Sequence, residues 1–345
     1  TGMRSEQRLM GVLLVLMIWL GALPAWGACE VPPDLALERP DPEGTPTSVS
    51  IGLFLIDLHS IDDSDQSYRA DVFVSASWQD PRLASTDPST SLHGCRVPLD
   101  AVWNPRLAIV NEYSVRRVFD KTVSIAADGN VEYFQRLQGE FTSRLDLREF
   151  PFDRHELRVD LGAIGYSPDQ LEITVETGRG LTGDLTIADW ELGEIYAEVE
   201  PLYIKPRDRY VAAASFRIPV KRRVGFYTLK TFLPLTLIVC MSWAVFWIKP
   251  GMLPPQIGVA TSAVLTLIAF QFSLGYMLPR LSYLTRADRF LIGSTLLVFL
   301  AFGEALWTSY LATHDMEARA VRIDSVSRVI FPLGFVVVML VAFAI

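Results

Sequence analysis

Gln256-Ile257-Gly258-Val259-Ala260-Thr261-Ser262-Ala263-Val264-Leu265-Thr266-Leu267-Ile268-Ala269-Phe270-Gln271-Phe272-Ser273-Leu274-Gly275-Tyr276-Met277-Leu278 contains no charged side chain, yet it holds Gly258, Thr261, Ser262, Thr266, Gln271 and Ser273. At 1.5 Å per helical residue such a stretch is long enough to cross a bilayer. Contact with lipid alone does not favour its polar groups. Steps of four and three residues from Gly258 reach Ser262, Leu265, Ala269, Phe272 and Tyr276, which share one helical face. That face is small and polar at its first end and apolar beyond, while Leu267 points away from it. Two readings fit: small residues that let helices pack closely, or a stripe that borders water.

Three more apolar stretches of spanning length surround it, at residues 226–248, 288–310 and 326–345. Residues 226–345 are thus expected to form an all-α, four-helix transmembrane domain. The whole chain is 50% hydrophobic, with a mean hydropathy of +0.27, above that of an ordinary soluble enzyme. Upstream, between Val49 and Ile218, the pattern changes to short alternating runs such as Tyr68 to Trp78, Thr122 to Ile125, Val131 to Leu137 and Leu171 to Val175. Asp128-Gly129-Asn130 separates two of them as a hairpin turn. Repeated short strands predict a β-sandwich over residues 29–225.

Residues 1–28 read as a secretory signal peptide, with Thr1-Gly2 as a cloning remnant, Arg4 and Arg8 ahead of the apolar run Leu9 to Leu23, and small residues after it. An exported sandwich followed by four spans places the sandwich and the C-terminus on the outer side. Lys249, Arg319, Arg322 and Arg328 then fall in inner linkers, with Arg280 and Arg286 in the outer one. Residues 29–225 carry 33 acidic against 21 basic side chains, which argues against a nucleic-acid partner. Cys29 and Cys95 lie in the exported half, where a disulfide is allowed, and Cys240 lies in an apolar span. No His/Cys/carboxylate cluster has metal-ligand spacing and no nucleophile motif is present, so neither an enzyme nor a metal or other cofactor is expected.

The specific landmark is Leu145-Asp146-Leu147-Arg148-Glu149-Phe150-Pro151-Phe152-Asp153, which resembles the signature loop of the pentameric ligand-gated ion channels, the Cys-loop receptor superfamily. Ser143 and Leu157 stand where animal receptors have the two loop cysteines, as in bacterial homologues. Trp78-Gln79-Asp80 is similar to the family's Trp-x-Asp strand end, and Trp103-Asn104-Pro105 to its Trp-x-Pro turn. Phe226-Tyr227-Thr228 with Pro234, Leu278-Pro279-Arg280, and Phe331-Pro332-Leu333-Gly334-Phe335 resemble the start of the first membrane helix, the link after the pore helix, and the last helix.

The resemblance implies a homopentamer around a central pore, a multi-pass protein of the bacterial inner membrane with its sandwich in the periplasm or outside. Its partners would be the lipid bilayer, permeant inorganic ions and a small-molecule agonist of unknown identity, or protons. Gly258, Ser262, Leu265, Ala269, Phe272 and Tyr276 would line the pore, with Pro254, Pro255 and Gln256 at its inner mouth. Five copies of Leu265 would form a ring able to gate by dewetting. Asp63, Asp153 and Arg222, with Pro151, Pro279 and Arg280, would couple sandwich to membrane helices, because one guanidinium can bind two carboxylates. The inner mouth has neither the Glu of cation channels nor the Arg of anion channels, and the acidic outer half leans towards cations. Val110 and Ile164 replace two aromatic rings of the family's ligand cage, leaving Tyr166, Tyr203, Tyr210 and Asp208 as ligand-binding candidates. In the family's proton-gated mode a Glu of the first loop and a His of the pore helix act, and here Gln66 and Leu267 stand there. A binding domain that signals through its helices without conducting is the rival reading; it would not need the polar stripe.

Overall fold

In the strand Ser67–Gln79 the side chains of Val72, Val74, Ala76 and Trp78 are buried while their neighbours are less so, the period of two that a half-buried sheet imposes. A computed structural model of the chain describes residues 31–36, 38–41, 43–84, 94–176, 180–181, 187–275 and 281–344. Among them the strands form an eight-stranded sheet, a five-stranded sheet and a two-stranded hairpin. The first sheet is built on Thr47–Asp62, which runs antiparallel to Ser67–Gln79, itself paired with Asn130–Thr142. The second is built on Arg154–Ala163 paired antiparallel with Ala213–Arg222. Val72, Val74 and Trp78 from one sheet and Leu157, Val159, Phe216 and Ile218 from the other share one apolar core. Each fully buried aliphatic there contributes about 1.5–3 kcal/mol.

Gly129 has φ of +83°, and a Cβ on it would lie 2.4 Å from the Asp80 carbonyl oxygen, so both the turn's twist and its close approach to a neighbouring strand call for glycine. At the far end of the core, Trp78 and Trp103 meet edge to face with centroids 6.0 Å apart.

The membrane half contains four helices. Helix α1 covers Gly225–Trp247, α2 Leu253–Leu274, α3 Arg286–Thr313 and α4 Glu317–Phe343, all long and apolar enough to cross a bilayer. Within α1, Thr228–Phe232 forms a π turn before the regular helix Leu233–Trp243, and Ala244–Trp247 tightens into a 3-10 turn. Leu235 and Val239 of α1, Ala263 and Leu267 of α2, Phe290 and Val298 of α3 and Ala342 of α4 pack into a common core. Leu296, Leu300, Leu333 and Val337 lie more than half exposed, as side chains facing hydrocarbon would. The fourth helix begins at Glu317, well before the expected residue 326. Its first turns carry Arg319, Arg322 and Asp324 and so read as a polar linker, although charges do not stop a helix whose backbone bonds continue.

Candidate functional site

Period-two alternation delivers the ionic centre at the foot of the sandwich. In Ala213–Arg222 the buried positions Ala214, Phe216, Ile218 and Val220 continue in register to Arg222. In the paired strand Arg154–Ala163, the inward series Leu157 and His155 extends back to Asp153. Strand pairing therefore sets a guanidinium and a carboxylate side by side in the same wall of the core, where a lone charge would be very unfavourable.

The two groups are fully engaged. Arg222 Nε donates to both Asp153 oxygens at 2.9 and 3.2 Å, and its second nitrogen donates to Asp153 at 2.9 Å and to Asp63 Oδ1 at 2.7 Å. His155 Nε2 lies 2.6 Å from Asp153 Oδ2. The guanidinium lies over two rings, 4.2 Å from the Trp190 centroid and 4.9 Å from that of Phe150. Burial alone would raise the Asp153 pKa, but the hydrogen bonds from His155 and Arg222 outweigh it and hold the carboxyl below its ordinary value. Burial likewise opposes charge on Arg222, and the bonds to Asp153 and Asp63 overcome it, so its pKa is raised. The result is a clamp, with Asp153 and Arg222 both ionised at neutral pH, that joins the first turn, the signature loop and the last strand before α1.

From that clamp the signature loop reaches down onto the helices. The Phe150–Pro151 peptide is cis. Phe150 meets Tyr227 of α1 edge to face at 4.9 Å, and Phe152 meets Phe343 of α4 at 5.6 Å. The start of α3 is fixed by a capping box in which Thr285 and Asp288 each bond the other's backbone N–H. That box aims the next two N–H groups at the loop: Arg286 N donates to the Arg148 carbonyl at 3.0 Å and Ala287 N to the Phe150 carbonyl at 3.2 Å. Arg286 also pairs with Glu149 at 2.5 Å, and Tyr283 Oη accepts from Leu147 N at 3.0 Å. Gln66 adds a further tie, its Oε1 accepting from Leu145 N at 2.7 Å. Sequence reading missed Tyr283, Arg286, His155, Trp190 and Gln66 as junction residues. The capping signature Thr285-x-x-Asp288 was the one local signal that pointed there.

Helix α2 divides into two faces. Gly258, Ser262, Leu265, Ala269 and Phe272 are all exposed on the single chain, Leu265 by 61%. Ala260, Ala263, Leu267 and Leu274 are buried, Leu267 completely. Pro254 and Pro255 are exposed at the start of α2. Gln256 corrects the expectation of an inner-mouth position: it is fully buried, donating to Thr308 Oγ1 at 3.3 Å and accepting from Ser309 Oγ at 2.8 Å, both on α3. An amide amid apolar helices finds its partners inside the subunit rather than on the exposed face.

The ligand candidates separate into two places. Tyr166, partly buried, packs against the edge of the sandwich core, 5.6 Å from Trp103, and accepts from its Nε1 at 2.8 Å. Tyr203, Tyr210 and Asp208 cluster on the hairpin Leu202–Ile204 with Arg209–Val211, the two rings 5.2 Å apart and the Tyr203 hydroxyl donating to Asp208 at 2.5 Å. That bond raises the Tyr203 pKa. Asp208 supplies the turn in the left-handed region with φ of +47°. Cys29, Tyr276, Pro279 and Arg280 lie outside the described residues. Cys95 is half-buried ahead of the strand Arg96–Pro98 and Cys240 is a free thiol.

Comparison with known proteins agrees with this geometry. Residues 36–206 match the neurotransmitter-gated ion-channel ligand binding domain, and residues 231–320 match the neurotransmitter-gated ion-channel transmembrane region. The chain is also similar to a proton-gated ion channel of Gloeobacter violaceus, with 28% identity over 330 residues that cover 94% of this chain and 88% of the relative. A sandwich clamped to four membrane helices, matched over most of its length by the two halves of one architecture, makes this chain a member of the neurotransmitter-gated ion channel family, the pentameric ligand-gated channels.

Proposed function

We propose that five copies of this chain enclose a pore lined by the exposed face of α2, with the sandwich outside a bacterial inner membrane and Leu265 as the principal gate ring. The observation that carries this reading is the division of α2. Its exposed face holds Gly258 and Ser262 and then the apolar Leu265, Ala269 and Phe272, while the opposite face is buried in the subunit. Five isobutyl groups at one level would exclude water when the pore is narrow. The acidic outer half favours cations in the vestibule. The stimulus is a proton, as the Gloeobacter relative's description states for that channel, or a small molecule held at Tyr203, Tyr210 and Asp208. In either case the signal passes through the Arg222 clamp and the loop contacts to Tyr283, Arg286 and Ala287.

Single-channel recording in ion gradients, with pH steps and a panel of amines, tests stimulus and selectivity. The gate is tested by Leu265→Ser. Five hydroxyls in place of five isobutyl groups stabilise the wetted pore, and a few tenths of a kcal/mol per subunit sum to about 1.4 kcal/mol, a tenfold shift towards open. The variant is expected to leak or to open at a weaker stimulus, whereas Leu267→Ser should not. A larger gain of function at Leu267 moves the pore face by about half a turn and overturns the assignment.

A further inference from the structure

Glu304 of α3 and Asp324 of α4 face each other inside the helix bundle, within hydrogen-bond reach of one another. Asp324 is 1% exposed. By distance and angle together, none of the four carboxylate oxygens accepts a hydrogen bond from the described residues. Ser327 stands beside Glu304 and Thr308 beside Asp324, yet the Thr308 hydroxyl gives its proton to the carbonyl of Glu304 at 3.1 Å. The one cation acting on the pair is Arg328, one turn along α4, and it is already held by the Phe246 carbonyl at 2.8 and 3.0 Å and by the Trp247 ring at 5.5 Å. The adjoining part of α1, Ala244–Trp247, and the inner part of α2 contain no ionisable side chain, and Lys249 beyond them pairs with Glu317 at 3.5 Å.

We propose that Glu304 and Asp324 form a proton-binding site in the inner half of the membrane domain, holding one proton between their carboxyl groups and passing its loss to the inner end of α2. Two ionised carboxylates offer only acceptors, and like charges at this separation in a water-poor interior repel strongly. A single shared proton supplies the missing donor and removes one of the two charges. Ionisable groups at this depth are retained for function more often than for stability.

The route to α2 is short. Thr308 sits one turn from Glu304 and accepts from Gln256 at 3.3 Å, and Ser309 donates to the same amide at 2.8 Å. When the proton leaves, the doubled charge competes for Arg328 and for the Thr308 hydroxyl, loosening Phe246 at the end of α1 and Gln256 at the start of α2. This coupling rests on the channel reading above; the proton site does not.

Infrared spectroscopy of the full chain in lipid, titrated in pH, reads the site directly. A protonated carboxyl band is expected at neutral pH in the wild type, altered by Glu304→Gln and by Asp324→Asn and absent from the double variant. No such band in the wild type, or an unchanged band in the double variant, overturns the site, whether or not the protein conducts. Currents read the coupling: each single variant is expected to shift the half-activating pH by about one unit, tenfold in proton activity. A band with unshifted currents in both variants overturns the link to α2 and retains the site. Because the infrared reading of the wild type needs no substitution, misfolding of a variant leaves the site testable.

Discussion

The Arg222 clamp and the Glu304–Asp324 pair both take carboxylates out of water, and they differ in what meets them there. At the junction, Asp153 is met by a two-point guanidinium and an imidazole, and Arg222 by two carboxylates and two aromatic faces. Between α3 and α4, four oxygens accept no well-formed hydrogen bond from the described residues. A buried charge with a complete set of partners is a fastener, since any change in its state is unfavourable. One without partners is open to a ligand, and for facing carboxylates the smallest ligand is a proton. The two sites thus divide the labour: the first ties two loops to the last strand before α1, and the second, on this proposal, can change state.

Reversing the charge of the fastener should have the largest effect. Arg222→Glu would set three carboxylates together in the wall of the core, and breaking a buried pair costs about 3–5 kcal/mol. The expected outcome is loss of activation in protein that still reaches the membrane, with a lowered melting temperature in detergent. Arg222→Lys should be intermediate, because an ammonium carries the charge without the fork that serves Asp153 and Asp63 together. Wild-type activation in Arg222→Glu would show that the junction is not clamped here.

How far the sequence carried this comparison depended on the range of the signal. The alternation of Tyr68 to Trp78 and the three-and-four spacing of Gly258 to Phe272 are local periodicities, and in the structure each set of residues shares one face. The partners of those faces are not local. Nothing near Phe150 announces that its carbonyl receives the N–H of Ala287. Nothing near Glu304 announces Asp324, since a turn and the start of another helix intervene. Gln256 failed for a related reason: a polar atom on an apolar element goes where its hydrogen bond is, and Thr308 is not visible from the residues beside it.

Neutralising one carboxylate at each site should sharpen the contrast with an effect of opposite sign. The folded-state pKa of Asp153 lies below the ordinary 3.8. Its stabilisation is therefore fully present above that value and disappears only as pH falls through the lower folded one. Thermal unfolding should be insensitive to this group between about pH 7 and pH 5 and weaken in strong acid. Asp153→Asn should lower the melting temperature across the neutral range, with a smaller acid-induced drop. Asp324→Asn should leave the melting temperature unchanged or raise it, because an amide N–H gives Glu304 a permanent donor in place of the shared proton. Equal losses in both variants would erase the distinction between fastener and open site.

The smallest expected effect is at His155, and it decides whether the clamp itself senses protons. The imidazole is the third partner of Asp153, 2.6 Å away and 7% exposed, with its ring 5.8 Å from Trp190. A histidine at a domain junction invites the reading of a pH switch, but a switch needs two states of comparable free energy. Here Asp153 keeps its guanidinium whatever the imidazole does, so losing the third bond leaves the fork from Arg222 to Asp153 and Asp63 in place. His155→Gln preserves a donor of similar reach. It should reduce stability by about 0.5–1.5 kcal/mol, the net worth of one hydrogen bond, read as a modest fall in melting temperature. The half-activating pH should stay close to that of the wild type, well short of the shift expected at Glu304 or Asp324. If His155→Gln instead abolishes the pH response while Glu304→Gln leaves it intact, the roles are exchanged: the fully partnered centre would be the sensor, and completeness of hydrogen bonding would not be what separates a fastener from a switch in this protein.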